Sequence, residues 1–233
     1  MRINIMNRHI TAHTVLILFT LAVTISFTAF PGAARAQNNV NDKGTVSTER
    51  GDPMPYSARK AENYLRGLKT AKANFIQSTS SGLQLFGTFY LDRPGKLRFE
   101  YDALDDFVVA DGIFIYFYDS ELEEQTNAPI GQTLADFLLR KDLRFSGDVQ
   151  VTSVRKADNL IQISLVQADD PGAGTLILGF IEEPFQLYRW QIIDSTGALT
   201  EVELVNLQTG IKLDSDLFVY KDPKKEAGSN FNE

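Results

Sequence analysis

The 233-residue chain has no cysteine. Disulfide staples, a thiol nucleophile and thiolate metal sites are therefore all excluded, and an exported chain of this kind relies on its core alone. Histidine is nearly as scarce, since His9 and His13 are the only two and both precede the apolar run of the N-terminal leader. Once that leader is removed neither His nor Cys remains, which excludes a Ser–His–Asp triad and the usual zinc sites. Positive charge is in the minority as well. Of the 23 Lys and Arg the leader takes three and of the 30 Asp and Glu it takes none, so the remainder carries 20 bases against 30 acids, net −10. Such a balance repels nucleic acid and anionic membrane faces, and no run of basic residues offsets it. No long apolar run follows the leader, so the remainder reads as a soluble chain.

The leader has its own order. Arg2 and Arg8 come first, an apolar run from Val15 to Phe30 follows, and Pro31-Gly32 leads into Ala34-Arg35-Ala36. Charged, apolar and small-residue regions in that sequence mark a secretory signal over residues 1–36, with the mature chain starting at Gln37. The alternative, an uncleaved anchor, is disfavoured because the run is shorter than the ~20 residues a span takes.

Residues 37–55 are polar, with Gly44, Gly51, Pro53 and Pro55, and read as a flexible linker. Residues 56–222 hold enough chain for one buried core, and 223–233 form a polar, disordered tail. From Tyr56 to Thr70, Ala61, Tyr64, Leu65 and Leu68 recur on one helical face, with Ser57 as the cap and Lys69 and Lys72 near the C-terminus to suit the dipole. The period then falls to two. Thr88–Leu91 and Leu97–Tyr101 flank Pro94-Gly95 as the arms of a hairpin with Arg93 at its corner. Asp111-Gly112 opens a further strand from Ile113 to Tyr118, and Glu121–Thr126 reads as another. Beyond the loop Asn127–Gly131, Thr133 caps a short helix whose apolar stripe is Leu134, Phe137 and Leu138. Two turns are not stable alone, so that helix must lie on an apolar surface, and the sheet is the candidate. Strand-like runs then follow at Val149–Val154, Leu160–Gln167, Thr175–Ile181, Leu187–Ile193 and Leu199–Leu207, which is the spacing of an antiparallel meander, open or closed.

Four acid pairs, Asp105-Asp106, Glu123-Glu124, Asp169-Asp170 and Glu182-Glu183, have the composition for glycoside chemistry. Each sits beside a turn or strand end, where acids ordinarily face solvent, and only abundance speaks for catalysis. Gly172-x-Gly174 lacks the strand-to-helix setting of a phosphate loop. The expectation is a protein without catalytic residues, cofactor or metal. Arg93 reads either as a solvated corner or as a latch, its guanidinium reaching carbonyls at the end of the Thr133–Leu139 helix. Leu97, Phe99 and Tyr101 alternate on one face, as do Ile113, Ile115 and Phe117 on the next strand, a pattern that serves a filled core or a cavity equally.

The ordered set Ala73-Asn74-Phe75-Ile76-Gln77, LDRPGKLRFEYD, VVADGIFIYFYD and the Gln132–Leu139 helix resembles the outer-membrane lipoprotein carrier (LolA) family. The likeness runs from about Tyr56 to Pro223. It implies a mainly β fold with helices, an open antiparallel β-barrel whose concave apolar face is covered by short helices and receives lipoprotein acyl chains. It also implies that Arg93 matches the family's lid-holding arginine and that Leu97 and Phe99 match large apolar positions of its cavity. The implied role is a monomeric periplasmic chaperone. Its partners would be acylated lipoproteins, an inner-membrane lipoprotein-releasing ABC transporter and an outer-membrane receptor where one exists. One departure is visible: tryptophans frequent on the family's central strands are replaced here by Tyr90, Phe99 and Tyr116. A module of the same fold that senses lipids or lipoproteins without moving them is the alternative.

Overall fold

The computed structural model describes residues 54–133 and 135–224. The leader of residues 1–36, nearly all of the linker, Leu134 and residues 225–233 lie outside the described residues. Helix α1, Tyr56–Gly67, buries Ala61 and Leu65 of the predicted stripe and Ala58 besides, while Tyr64 is partly buried and Leu68 is buried just past the helix end. Ser57 is not its cap: Pro55 holds that position, no side chain caps the helix, and Ser57 is buried in the first turn. The helix also stops short of Thr70. Leu68 turns the chain out into an extended conformation, so Arg66, not Lys69 or Lys72, supplies the charge in the last turn.

The chain then runs through β1 (Thr70–Thr79), β2 (Gln84–Asp92), β3 (Lys96–Tyr101), β4 (Phe107–Asp111), β5 (Phe114–Asp119) and β6 (Glu124–Pro129). After an excursion come β7 (Val149–Ala157), β8 (Leu160–Gln167), β9 (Gly174–Ile181), β10 (Gln186–Asp194) and β11 (Leu199–Thr209). All eleven form one antiparallel sheet, ordered β6-β5-β4-β3-β2-β1-β11-β10-β9-β8-β7. Every pairing but one joins chain neighbours; the exception is β1 on β11, where Phe75 faces Leu204. The two edges, β6 and β7, are consecutive in the chain. Residues 130–148 connect them through a 3-10 turn, Ile130–Gln132, and helix α2, Ala135–Leu139. The fold is thus mainly β with few helices, an open sheet rather than a closed barrel.

Strict alternation on β2 and β3 sends Leu85, Phe89, Leu91, Leu97, Phe99 and Tyr101 to one face. The register extends that face sideways, with Phe89 beside Phe99, Phe99 beside Val108 and Val108 beside Phe117. Both helices belong to the same core, and this is the inner face. Gly87 is required there, because a Cβ would lie 1.9 Å from the Glu100 carbonyl and 2.7 Å from the Phe75 ring. At the β2–β3 turn Gly95 takes φ +86°, as the hairpin chemistry demands, and the Arg93–Pro94 peptide is cis.

Two strand expectations need correction. Ile113 is not a strand residue of the inner face: it occupies the β4–β5 turn at 70% exposure. Glu121–Glu123 form a turn, so β6 begins later and absorbs most of the expected loop. Tyr90 and Tyr116 have the parity of the outer face, where Lys72 lies 5.3 Å from the Tyr90 ring and Tyr116 stacks on Tyr220 at 4.8 Å. A 3-10 turn, Ser215–Phe218, straps the outer face of β3 and β4 and buries Phe218.

Candidate functional site

The β2–β3 corner carries Arg93 beneath the ends of both helices. Its backbone N–H donates to the Lys69 carbonyl at 2.7 Å, its Nη1 to the Leu65 carbonyl, and its Nη2 to the Arg140 carbonyl at 2.8 Å. Gly95 N–H adds a bond to the Leu139 carbonyl at 2.9 Å. Carbonyls in the last turn of a helix have no intrahelical donor, so these are natural acceptors for a planar guanidinium. Arg93 is 7% exposed, and among the described residues no carboxylate pairs with it. Burial pulls its pKa down from the ordinary value, and its Nε has no partner. The bonds to helix-end carbonyls are what compensate the buried charge.

α2 lies over an apolar crevice of about 40 Å³. Leu97 and Phe99 line it from the sheet, Phe137 and Leu138 from the helix, and Leu178 and Trp190 from the opposite strands. No polar side chain enters the lining. Four of the residues singled out from sequence therefore converge here. Ile115 and Phe117 are buried on the inner face but stand outside the crevice, and Tyr101 is further along β3, donating to Gln77 Oε1 at 2.9 Å. Thr133 is not a side-chain cap. Its hydroxyl donates back to the Ile130 carbonyl at 2.8 Å, and its own carbonyl accepts from Asp136 N–H, so the helix starts later and has five residues.

The wall formed by β9 and β10 is missing from the sequence reading. Leu176 and Leu178 alternate plainly, but on β10 the buried positions are Leu187, Trp190 and Ile192. A register shift between Leu187 and Arg189 inserts one residue and brings Trp190 back to the inner face. A break in period of that kind is invisible to an i, i+2 count. The single tryptophan of the chain packs there against Phe89 and Phe99, with centroids 5.7 and 6.3 Å away.

Beyond α2 the chain is held again. Arg140 pairs with Asp136 on the helix and with Asp148 at 2.5 Å. Leu143 and Phe145 are buried, the Phe145 ring meets Phe137 at 5.6 Å, and Phe145 N–H donates to Glu62 of α1 at 2.6 Å. α2 is therefore pinned on its C-terminal side by packing, and at its end by Arg93 and Gly95. The acid pairs have other work: Asp106, for one, accepts from the N–H and hydroxyl of Ser120.

This arrangement has relatives. A family model described as outer membrane lipoprotein carrier protein LolA matches residues 66–221, from the end of α1 through the outer-face strap. The outer-membrane lipoprotein carrier protein of Methylococcus capsulatus is 28% identical over 173 residues, covering 70% of this chain and 83% of that one. That of Legionella pneumophila (strain Corby) is 28% identical over 177 residues, covering 72% and 87%. The crystal structure of a LolA superfamily protein from Nitrosomonas europaea aligns with a TM-score of 0.39 at 9% identity, over 70% of this chain and 97% of that one. With its family model matched from α1 to the strap, the chain belongs to the outer membrane lipoprotein carrier family.

Proposed function

We propose that this protein is a periplasmic chaperone that takes the acyl chains of lipoproteins released from the inner membrane and carries them to the outer membrane. The leader of residues 1–36 would export it. An inner-membrane lipoprotein-releasing ABC transporter would load it, and an outer-membrane receptor, where present, would unload it. The need for such a carrier is physical. At ~0.8 kcal/mol per methylene, one exposed chain of about fourteen carbons costs on the order of 11 kcal/mol in water.

The observation that supports the reading is a lid closed over an undersized crevice. About 40 Å³ is far below the roughly 300–1,000 Å³ of ligand pockets. An acyl chain enters only if α2 leaves, and α2 is held by the buried Ala135, Phe137 and Leu139 together with hydrogen bonds at its end. In the empty state Arg93 keeps the lid shut. Cargo displaces Phe137 and Leu138 and packs in their place on Leu97, Phe99 and Trp190. Reclosure then favours release, so no nucleotide is needed on the carrier itself.

Native mass spectrometry of the leaderless protein isolated from the envelope of a Gram-negative host tests this. Co-purified acylated lipoprotein, absent from Phe99→Glu, is expected. A clean apo mass after incubation with lipoprotein-loaded membranes would refute cargo binding. Binding without onward transfer to outer-membrane vesicles would instead identify a sensing module.

A further inference from the structure

The chain-wide acidity predicts repulsion from anionic membranes, but charge is distributed unevenly along the sheet. In an antiparallel meander successive turns alternate between its two ends. The β3–β4, β5–β6 and β8–β9 turns therefore share one end, and they carry exposed Asp102, Asp105, Glu121, Glu123, Asp169 and Asp170. Three of the four acid pairs mark this acidic pole. The β2–β3 and β4–β5 turns lie at the other end, around Arg93.

Five cations gather at that second end from four separate stretches of chain. Arg66 follows Leu65, whose carbonyl Arg93 holds, and Lys69 accepts from Arg93 N–H through its own carbonyl. Lys96 opens β3 opposite Asp92, and Lys141 follows the Arg140 carbonyl. Lys212 follows Ile211, whose carbonyl accepts from Thr70 Oγ1 at 2.8 Å. Four of these side chains are exposed and Lys96 is half-exposed, and among the described residues none makes an ion pair. The acids of the corner are Asp92, Asp142 and Asp111. The last is occupied by Ile113 and Phe114 N–H, both at 2.9 Å, and by the Tyr116 hydroxyl at 3.1 Å. Glu182 and Glu183 share this end of the sheet but sit on β9–β10, beyond β1 and β11, with Glu182 paired to Lys156.

Two apolar residues project among these cations. Pro94 and Ile113 are exposed at the tips of adjacent hairpins, Ile113 at 70%. The tips touch, since a Cβ on Gly95 would lie 2.9 Å from the Gly112 Cα. We propose that this end of the molecule docks reversibly on an anionic phospholipid surface, with Pro94 and Ile113 at headgroup level, the cations around them and the acidic pole turned away. The six-residue strands β3 and β5 set the poles roughly 20 Å apart, more than two Debye lengths of ~8 Å at physiological salt. A bilayer at one end scarcely feels the acids at the other. The cations stand on long stems without fixed acceptors, which suits a diffuse plane of headgroups better than the fixed carboxylates of an acidic protein. Docking here would set the latched end of the lid against the membrane.

The empty, leaderless protein is floated with vesicles of phosphatidylcholine with and without phosphatidylglycerol, at low and physiological salt. Binding to the anionic vesicles alone is expected, weakening with salt. It should fall about tenfold or more in Lys69→Glu with Lys141→Glu, fall several-fold in Ile113→Ser, and persist in Lys221→Glu with Lys224→Glu. The control pair changes net charge equally but lies beyond the outer-face strap, away from the basic end, with Lys224 paired to Glu123 at 3.4 Å. Absence of flotation, equal binding to pure phosphatidylcholine, an equal loss in the control pair, or capture of an acidic protein in place of vesicles would each overturn the proposal. The assay uses no cargo, so its failure would leave the carrier reading standing.

Discussion

Replacing Arg93 with Leu separates the latch from the fold. The variant loses bonds to the Leu65 and Arg140 carbonyls, but the two losses differ. Leu65 O keeps Leu68 N–H at 3.3 Å as a donor, so α1 is little affected, whereas the loss at Arg140 falls on the lid. A hydrogen bond from a charged donor is worth about 1.5–3 kcal/mol. At about 1.36 kcal/mol per factor of ten, the closing equilibrium of α2 shifts roughly ten- to 150-fold toward open. The Gly95–Leu139 bond remains, and removing a buried guanidinium with an unpartnered Nε returns some stability to the fold. The assay is native hydrogen exchange of the Arg140 amide, which donates to Asp136 O at 2.8 Å, alongside titration with an apolar dye. Arg140 should exchange faster by the stated factor, the β1–β11 ladder should not, and the dye should bind more tightly. Arg93→Lys, a point charge able to satisfy one carbonyl, should fall between. Unchanged protection of α2 with unchanged dye affinity would refute the latch.

Trp190 is the only tryptophan and lines the crevice, so a brominated acyl ligand should quench its emission while leaving a Phe99→Glu variant unquenched; undiminished emission at saturation would place the chains elsewhere. Gly87→Ala should lower the melting temperature by about 5–10 °C, since the new methyl overlaps the Glu100 carbonyl and overpacking of this kind costs about 1–3 kcal/mol or more; an unaltered melt would mean that β2 and β3 separate easily. Burial, and secondarily the charge of Asp106, push the Tyr101 phenol well above its ordinary 10. The unfolded chain then releases this proton first, so stability is full below about pH 10 and declines as pH rises beyond it. Tyr101→Phe should flatten that decline in urea midpoints measured against pH. Half-buried Tyr64, also raised, leaves a residue of it, and identical slopes would show that Tyr101 is not the group responsible.

How much of this was legible depended on how local the signal was. Period-two alternation on β2, β3 and β8 is a property of a few successive residues, and those strands fall where the sequence places them. The hairpin corner was legible because Pro94-Gly95 is itself the turn chemistry. The side of the crevice formed by β10 was not, because its bulge breaks the period that identifies a buried face. Ile113 misled for a related reason: it extends an apolar run, yet the backbone spends it on a turn anchored by Asp111. The short helix was expected from its apolar stripe, but Thr133 turned its hydroxyl to Ile130, a choice set by the preceding 3-10 turn. The basic corner was hidden most thoroughly, since its five cations are spread from Arg66 to Lys212 and meet only through the bonds of Arg93 and the β1–β11 pairing.

The order of the strands gives the lid a second role. β6 and β7 are the free edges of the sheet, and the lid lies in the one stretch of chain that joins them. Nineteen residues of polypeptide, not a ladder of hydrogen bonds, bridge that seam. The ten strand pairings therefore leave the distance between the two edges unfixed by any ladder of hydrogen bonds. In the proposed carrier, lifting α2 would uncover the crevice and slacken the segment that joins the edges in one movement. A closed barrel fixes its bore by strand number and shear; an open sheet leaves that dimension to the segment that joins its edges.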